Sequence, residues 1–255
     1  MSLSDVLGPS ERIAQAVILL GDTDPESCAA DLKRSEALNV DSVVAVIRYL
    51  TGRRIKPVFI SSELVFDGTK GGYTESDPVN PVLTYGRQKV EVEKYLRSFC
   101  DSYAVVRLAK VFGGEPGGGT LFTRWLAAIE RGETIRCATD QIFSPIFVDD
   151  AAEGIVRLID ADAGGLFHLA GAKAYRRIEL LEMLLSRLNG RLREDVKVVR
   201  CSIHDFKLRE KRPLDVSMRP DKFLEATGMK LKDAETICAG IVLKARHDSI
   251  IRLSQ

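Results

Sequence analysis

Short apolar runs alternate along the chain with longer stretches in which apolar residues recur at helical spacing. The runs are typical of buried strands in a parallel sheet, and they lie at 16–21, 57–62, 103–108, 165–171 and 196–199. Helical spacing predicts helices at 25–50, 84–98, 121–132, 149–159, 178–188, 221–227 and 233–247. Because strands and helices alternate, we expect an α/β fold with a parallel sheet and helices on both faces.

The composition excludes several classes of protein. Of the 255 residues, 45% are hydrophobic and 29% are charged, as in an ordinary globular protein with a large core. No apolar run approaches the roughly 18 residues of a membrane-spanning helix. The first basic residue, Arg12, comes too late to form the charged head of a secretory signal. We therefore expect a cytoplasmic protein with no membrane partner.

Charge and cysteine content narrow the expected partners further. Lys and Arg total 37 and Asp and Glu total 36, so the formal charge of +1 gives no field that would gather nucleic acid. The five cysteines are scattered, and the three histidines lack the spacing of metal ligands. We expect reduced thiols, no bound metal and no nucleic-acid partner.

The sharpest chemical signal is Tyr85 followed by Lys89 near the start of a predicted helix. Their spacing of four residues places phenol and ammonium on one helical face, where the ammonium lowers the pKa of Tyr85. Such a pair can pass a proton to or from a carbonyl. Ser62 ends a predicted strand, where doubly wound folds place their sites, and its hydroxyl can hold that carbonyl. The alternative explanations are a solvated helix face and a hydroxyl that caps a loop.

Residues 59–96 resemble the extended short-chain dehydrogenase/reductases, specifically the dTDP-4-dehydrorhamnose reductase branch. That branch has the patterns I-S-T-D-Y-V-F-D-G, P-Y-x-E-x-D and Y-G-x-x-K, which this chain follows in order with ISSELVFDG, GYTESD and YGRQK. Later landmarks of the branch are matched at 105–113, 140–159, 165–171 and 212–228. The resemblance covers nearly the whole chain, and it implies a Rossmann-like doubly wound sheet with a small C-terminal substrate lobe.

The resemblance implies roles for individual residues in the NAD- or NADP-dependent reduction of a 4-keto nucleotide-sugar. Tyr85 would be the general acid, Lys89 would lower its pKa and hold the nicotinamide ribose, and Ser62 would bind the carbonyl. The implied cofactor-binding residues are Asp5, Gly21, Ser61, Tyr85 and Lys89. The implied substrate-binding residues are Glu63, Lys110, Arg124, Gln141 and Arg212.

The start of the chain departs from this family. A dinucleotide enzyme should show a strand, a Gly-x-x-Gly-x-x-Gly turn and a helix that holds the pyrophosphate, and none of these precedes the run at 16–21. We therefore expect a sheet truncated at its N-terminus and weak cofactor binding. An exposed sheet edge would favour a homodimer or pairing with another chain. The expected organisation is an incomplete Rossmann-like domain at 1–170, to whose substrate lobe 113–140 contribute, and mainly substrate lobe at 171–255.

A second hypothesis is a binding or regulatory protein without turnover. The β regulatory subunit of methionine adenosyltransferase resembles the same region of the chain. Glu63, Leu64, Lys110 and Phe143 stand where the reductase branch has Asp, Tyr, Trp and Gly, and they surround the expected substrate site. Together with the departure at the start of the chain, these residues keep both hypotheses open.

Overall fold

The computed structural model describes residues 13–113, 119–188 and 195–247, with side chains up to residue 243. The strands are β1 (Gln15–Ile18), β2 (Lys56–Ser62), β3 (Ala104–Leu108), β4 (Val111–Phe112), β5 (Ile135–Ala138), β6 (Ile142–Phe143), β7 (Ile146–Phe147), β8 (Gly165–Leu169), β9 (Tyr175–Arg176) and β10 (Val198–Cys201). The helices are α1 (Pro25–Ala30), α2 (Leu32–Glu36), α3 (Ser42–Gly52), α4 (Thr84–Phe99), α5 (Leu121–Glu130), α6 (Val148–Asp160), α7 (Arg177–Ser186), α8 (Asp221–Thr227) and α9 (Ala234–His247). A π-helical turn spans Ala37–Asp41, and 3₁₀ turns span Glu63–Val65 and Ile203–Asp205. None of these described helices is long and apolar enough to cross a membrane.

Four strands form one parallel sheet in the order β1-β2-β3-β8. Val17 pairs with Val58, Val58 with Ala104, and Ala104 with Gly165. Every residue of β2 is buried, which explains why this strand shows no alternation of polar and apolar residues. Because the strands are parallel, their carboxyl ends lie at one edge, where open α/β sheets place their sites.

Helices cover both faces of this sheet. On one face, Phe59 and Val105 pack against apolar residues of α3 and α4. On the other face, Ile60 and Val106 pack against apolar residues of α6 and α8. Adjacent residues of a strand point to opposite faces, so β2 and β3 serve both layers. This arrangement confirms the Rossmann-like α/β fold that the sequence predicts.

A second apolar core is built by α5, β5, α7 and α9. Phe122, Trp125, Leu181 and Ile241 are among its buried members. The segment 113–140, which we expected to contribute to a substrate lobe, supplies α5 and β5 to this core. Two-stranded pairs of β5 with β10 and of β6 with β9 accompany it.

The helix expected at 25–50 is interrupted, so that prediction is wrong in this respect. Asp31 adopts an extended conformation between α1 and α2, and its carboxylate accepts the N–H of Arg34 at 3.0 Å. An aspartate that caps a helix N-terminus in this way offers the backbone an alternative to a continuous helix. The π-helical turn Ala37–Asp41 follows, and such turns are frequent at functional sites.

Candidate active site

Ser62 and Tyr85 meet at the carboxyl edge of the sheet. Ser62 is the last residue of β2, and Tyr85 is the second residue of α4. The first turn of α4 lies directly against the 3₁₀ turn after Ser62. The two backbones are so close that a Cβ at Gly86 would overlap the carbonyl oxygen of Leu64. Glycine alone permits this approach of the two backbones. Tyr85 and Ser62 are close enough for hydrogen bonding with Ser62 to influence the pKa of the phenol.

Tyr85 is held as a neutral phenol. It is 7% exposed, and burial raises its pKa well above the usual range, whereas hydrogen bonding with Ser62 acts in the opposite direction. The charges of Glu63 and Asp22 raise this pKa further. The direction differs from the lowering that we expect from Lys89 alone, because lost hydration outweighs the effect of a nearby ammonium. At neutral pH Tyr85 therefore carries the proton that a general acid donates.

Lys89 lies one helical turn after Tyr85. Its Nζ is 5.5 Å from the centroid of the Tyr85 ring and donates a hydrogen bond of 3.0 Å to the carbonyl oxygen of Ile60. Burial lowers the pKa of Lys89 to about 8, and the charge of Glu93 opposes this shift. An ammonium has three N–H donors, so the bond to Ile60 leaves two for a ligand.

Ser61 uses its hydroxyl on the opposite side of β2 from Ser62. The hydroxyl donates to Oε1 of Glu93 at 2.5 Å, as expected where adjacent strand residues point to opposite faces. Glu93 in turn pairs with Arg107, and both side chains are buried. The Ser61 hydroxyl is therefore engaged within the protein, and the contact of Ser61 with a cofactor stays a prediction.

Buried amides tie the loop after β1 to α4. Asn39, in the π-helical turn, accepts the N–H of Asp22 at 2.7 Å and donates to the carbonyl oxygen of Asp22 at 3.0 Å. Its Nδ2 also donates to Oε1 of Gln88 at 2.7 Å, one residue before Lys89. Gly21 has a φ of 126°, and a Cβ there would overlap the Asn39 side chain. The loop and the helix that carries Lys89 are therefore positioned by the same side chain.

An open groove of about 520 Å³ lies at the carboxyl end of β1. Its lining residues are Gly21, Asp22, Thr23, Asp24, Ser27, Arg34 and Leu38. Asp22 accepts a hydrogen bond of 2.5 Å from the Ser27 hydroxyl and pairs with Arg34 at 2.9 Å. These donors, Ser27 above all, hold the pKa of Asp22 below its usual range. Carboxylates, hydroxyls and a guanidinium in one groove suit a ligand rich in hydroxyl groups.

Glu63 is a buried carboxyl group next to Ser62. It is 5% exposed, and its Oε2 accepts the backbone N–H of Lys110 at 3.1 Å. Burial raises the pKa of Glu63 to about 7, although the charge and the N–H of Lys110 oppose this shift. A carboxyl group that changes charge near neutral pH beside a proton donor is a common feature of functional sites.

Four basic side chains form a cluster, in which the charges of Arg124, Arg177 and Arg212 act on Lys110. Lys110 is exposed to solvent on part of its surface. Loss of hydration on the remainder nevertheless lowers its pKa, and the charges of the three arginines lower it further. Nε of Arg177 and Nη1 of Arg212 are buried and have no hydrogen-bond partner among the described residues. Buried donors are rarely left unpaired, so this cluster is suited to an anion. It includes three of the predicted substrate-binding residues, together with Arg177.

Arg177 and Asp22 were not among the residues that the sequence singled out. The N–H of Arg177 donates to the carbonyl oxygen of Gln141 at 2.8 Å, and its Nη1 lies 3.3 Å from Oε1 of Gln141. Arg177 begins α7 in a run without a local motif, so its proximity to Lys110 is a product of the tertiary fold. Asp22 follows a parallel strand, and the rule that selected Ser62 would also have selected it.

Asp5, a predicted cofactor-binding residue, lies outside the described residues. Within the described residues, no group of His, Cys, Asp and Glu could hold a metal ion.

Comparison with curated proteins identifies relatives among sugar reductases. The chain is 28% identical, over 66% of its length, to the probable low-salt glycan biosynthesis reductase Agl14 of Haloferax volcanii, of which it covers 57%. It is 24% identical, over 78% of its length, to a dTDP-4-dehydrorhamnose reductase of Sinorhizobium fredii, of which it covers 69%. It is also 29% identical, over 56% of its length, to the methionine adenosyltransferase 2 subunit beta of Danio rerio, of which it covers 46%. The chain thus spans about half to two thirds of the length of these relatives.

Solved structures show the same fold. A dTDP-4-dehydrorhamnose reductase of Clostridium acetobutylicum is similar with a TM-score of 0.81 and 21% identity, over 91% of this chain and 81% of that one. The corresponding reductase of Bacillus anthracis, in complex with NADP, has a TM-score of 0.77 and 22% identity, over 91% of this chain and 80% of that one. Residues 15–245 match the family described as RmlD substrate binding domain, which is most of the chain. The chain therefore belongs to the RmlD substrate binding domain family.

Proposed function

We propose that the protein reduces the 4-keto group of a nucleotide-sugar with NADPH or NADH, and that Tyr85 is the general acid. The observation that carries this proposal is the meeting of Ser62, Tyr85 and Lys89 at the carboxyl end of β2. A buried neutral phenol beside a hydroxyl and an ammonium is suited to protonating a carbonyl oxygen. Relatives named as dTDP-4-dehydrorhamnose reductases support this choice of reaction.

The basic cluster supports a substrate that carries a diphosphate. Lys110, Arg124, Arg177 and Arg212 supply more positive charge than Glu63 offsets, and two of the arginines have unpaired buried N–H groups. Guanidinium groups bind phosphate oxygens through paired hydrogen bonds, which are stronger than bonds between neutral groups. A nucleotide-sugar places such a diphosphate next to its sugar, so the sugar can reach Ser62 and Tyr85.

The residues present fit the nicotinamide ribose of a cofactor. Lys89 retains two N–H donors for ribose hydroxyls, and the phenol of Tyr85 lies beside it. The groove at the end of β1 has a polar lining, and Gly21 lets a ligand approach its main chain closely. Lys89, Tyr85 and the loop that begins at Gly21 would therefore hold the cofactor. When bound, it supplies the hydride that reduces the carbonyl carbon.

The side chains of the site divide the remaining chemistry among them. The Ser62 hydroxyl donates a hydrogen bond to the carbonyl oxygen, and Tyr85 donates its proton to the same oxygen as the carbon is reduced. The oxygen becomes a strongly basic alkoxide, so the raised pKa of Tyr85 still permits the transfer. The ammonium of Lys89 stabilises the resulting phenolate, which then takes a proton from solvent.

The test follows the consumption of NADPH with dTDP-4-keto-6-deoxy-D-glucose as the substrate. Tyr85→Phe should lower kcat by at least about 100-fold, because general acids typically contribute factors of this size. Tyr95→Phe is the matched control, since Tyr95 lies on the same helix and its hydroxyl accepts a hydrogen bond of 3.1 Å from the exposed Arg48. Unchanged turnover in Tyr85→Phe would contradict the proposal. Binding of dTDP without turnover in the wild-type protein would instead favour a regulatory role.

A further inference from the structure

A segment from the second core crosses to the helices that border the active site. It comprises residues 206–212 and is called here the bridging segment. The 3₁₀ turn that precedes it is anchored by Asp140, which accepts the Ser202 hydroxyl at 2.5 Å and the N–H of Ile203 at 2.8 Å. Because this anchor lies next to β5 and β10, the bridging segment leaves from the second core.

The bridging segment is bound to α1 through Glu26. The carboxylate of Glu26 accepts the N–H of Arg209 at 3.0 Å and pairs with Nη2 of Arg212 at 2.7 Å. The side chains of Arg212 and Glu26 are 12% and 31% exposed, so this ion pair is partly shielded from solvent. Such a pair holds the segment close to the loop that follows β1.

The bridging segment is bound to α4 through Glu210. Both oxygens of Glu210 accept the backbone N–H of Thr84 at 3.0 Å, and Oε1 also accepts the Thr84 hydroxyl at 2.9 Å. Nη2 of Arg87 donates to the same oxygen at 2.9 Å. Glu210 therefore caps the N-terminus of α4 from 126 residues away in the sequence.

The local sequence does not provide this cap. The residue at the cap position is Leu83, whose side chain accepts no hydrogen bond, and the first turn of α4 contains no acidic residue. The first N–H groups of a helix lack partners within the helix, and a carboxylate there also interacts favourably with the helix dipole. Thr84, which Glu210 binds, immediately precedes Tyr85. The position of the catalytic phenol therefore depends on a carboxylate of the bridging segment.

The bridging segment also reaches the anion site. Arg212 acts on the pKa of Lys110 through its charge, and its Nη1 is a buried donor without a described partner. One residue of the segment thus faces the proposed phosphate site, while another, two positions earlier, caps the helix of Tyr85. An anion bound by Arg212 therefore restrains the part of the bridging segment that carries Glu210.

We propose that Glu210 is a positioning residue for Tyr85, and that a diphosphate held by Arg212 and Lys110 tightens the cap that Glu210 places on α4. The second clause rests on the proposed function, because it requires a nucleotide-sugar at the basic cluster. The first clause concerns the chain alone. Substrate binding and alignment of the proton donor then become one coupled event.

Hydrogen exchange on the full chain, with dTDP as the probe, tests both clauses. In the ligand-free protein, Glu210→Ala should speed exchange of the amides at 84–87 by about tenfold, the effect of losing a strong helix cap. Glu210→Gln keeps an oxygen acceptor for Thr84 and should restore most of this protection. The matched control is Glu153→Ala, which removes an exposed ion pair on α6. Unchanged exchange at 84–87 in Glu210→Ala would overturn the first clause.

Adding dTDP to the wild-type protein should slow exchange at 84–87 and at 206–212 together. In Glu210→Ala, dTDP should still protect 206–212 but not 84–87. Equal protection of 84–87 in both proteins, or a lower melting temperature as the sole effect of Glu210→Ala, would overturn the coupling. The turnover assay on the wild-type protein tests the proposed function separately, since exchange is measured without any reaction. Where turnover occurs, Glu210→Ala should lower kcat and leave the KM for NADPH unchanged.

Discussion

Glu93 and Arg107 form an ion pair of 2.7 Å in which the side chains are only 3% and 2% exposed. The Ser61 hydroxyl donates to Glu93, and Nε2 of His168 lies 3.4 Å from Nη1 of Arg107. The pair joins α4 to β3, while Ser61 connects it to β2. The network therefore ties α4, the helix that carries Tyr85 and Lys89, to the two central strands of the sheet.

Removal of one partner of this pair should destabilise the protein strongly. Glu93→Gln or Arg107→Met leaves a buried charge without compensation, and we expect a loss of about 3 to 5 kcal/mol in the free energy of unfolding. The exposed pair of Glu153 and Arg157 provides the comparison, since Glu153→Ala should cost no more than about 0.5 kcal/mol. Urea unfolding curves measure both. A Glu93→Leu/Arg107→Met double variant should lose less stability than the worse single variant, and the reverse result would contradict this account.

Gly86→Ala should disturb both stability and catalysis. The added methyl group overlaps the carbonyl oxygen of Leu64, so the first turn of α4 must move away from the turn after Ser62. We expect a loss of about 1 to 3 kcal/mol, as for other overpacked sites, and a lower kcat because Tyr85 moves with the turn. Gly52→Ala is the control, because a Cβ there meets no atom within 4 Å. Thermal unfolding and turnover of the two variants should separate them clearly.

Glu63→Gln should stabilise the protein at alkaline pH. The pKa of Glu63 is about 7 in the folded protein and 4.5 as its ordinary value, so the folded state binds the proton more tightly than the unfolded state does. Stability is therefore lost as pH rises from about 4.5 to about 7, and the glutamine variant does not suffer this loss. We expect the gain from Glu63→Gln to be on the order of 2 kcal/mol larger at pH 8 than at pH 5. Urea unfolding at the two pH values measures these gains. Equal gains would show that folding does not raise the pKa of Glu63.

Arg177→Gln should weaken the binding of dTDP. A charge-assisted hydrogen bond to phosphate contributes about 1.5 to 3 kcal/mol, so its loss corresponds to roughly 10- to 100-fold in Kd. The salt dependence of binding should also decrease, because one cation fewer faces the diphosphate. The neighbouring Arg176 has 59% of its side chain exposed and pairs with Glu179, so Arg176→Gln should leave the Kd nearly unchanged. Calorimetric titration at two salt concentrations measures these effects, and equal Kd values for the two variants would contradict the placement of the anion site.

Local patterns predicted the parts of this fold that depend on short-range physics. The apolar run that contains Phe59 and Ile60 is a buried strand because both of its faces are covered, and this is visible in its composition. The spacing of Tyr85 and Lys89 placed both on one face of a helix because that spacing is close to one helical turn. Strand alternation also indicates that Ser61 and Ser62 use opposite faces of β2.

Other features of the site depend on contacts between distant segments. Glu210 binds Thr84 across 126 residues, and no local signal in either segment indicates the partner. The upward shift in the pKa of Tyr85 likewise follows from burial, which the spacing to Lys89 does not report. The interruption at Asp31 is an intermediate case, since aspartate favours helix caps but also occurs on exposed faces of continuous helices. Sequence patterns thus placed the candidate residues on their strands and helices, whereas their surroundings follow from the tertiary fold.

The glycine contact between α4 and the turn after Ser62 limits which side of the candidate site can change shape. Because Gly86 joins two backbones directly, no repacking of side chains can widen that side of the site. The basic residues opposite are carried by α5, α7 and the bridging segment, where single substitutions alter charge and reach. In the proposed reductase, substitutions on that wall can alter which sugar is bound, while the backbone contact that places Tyr85 stays the same.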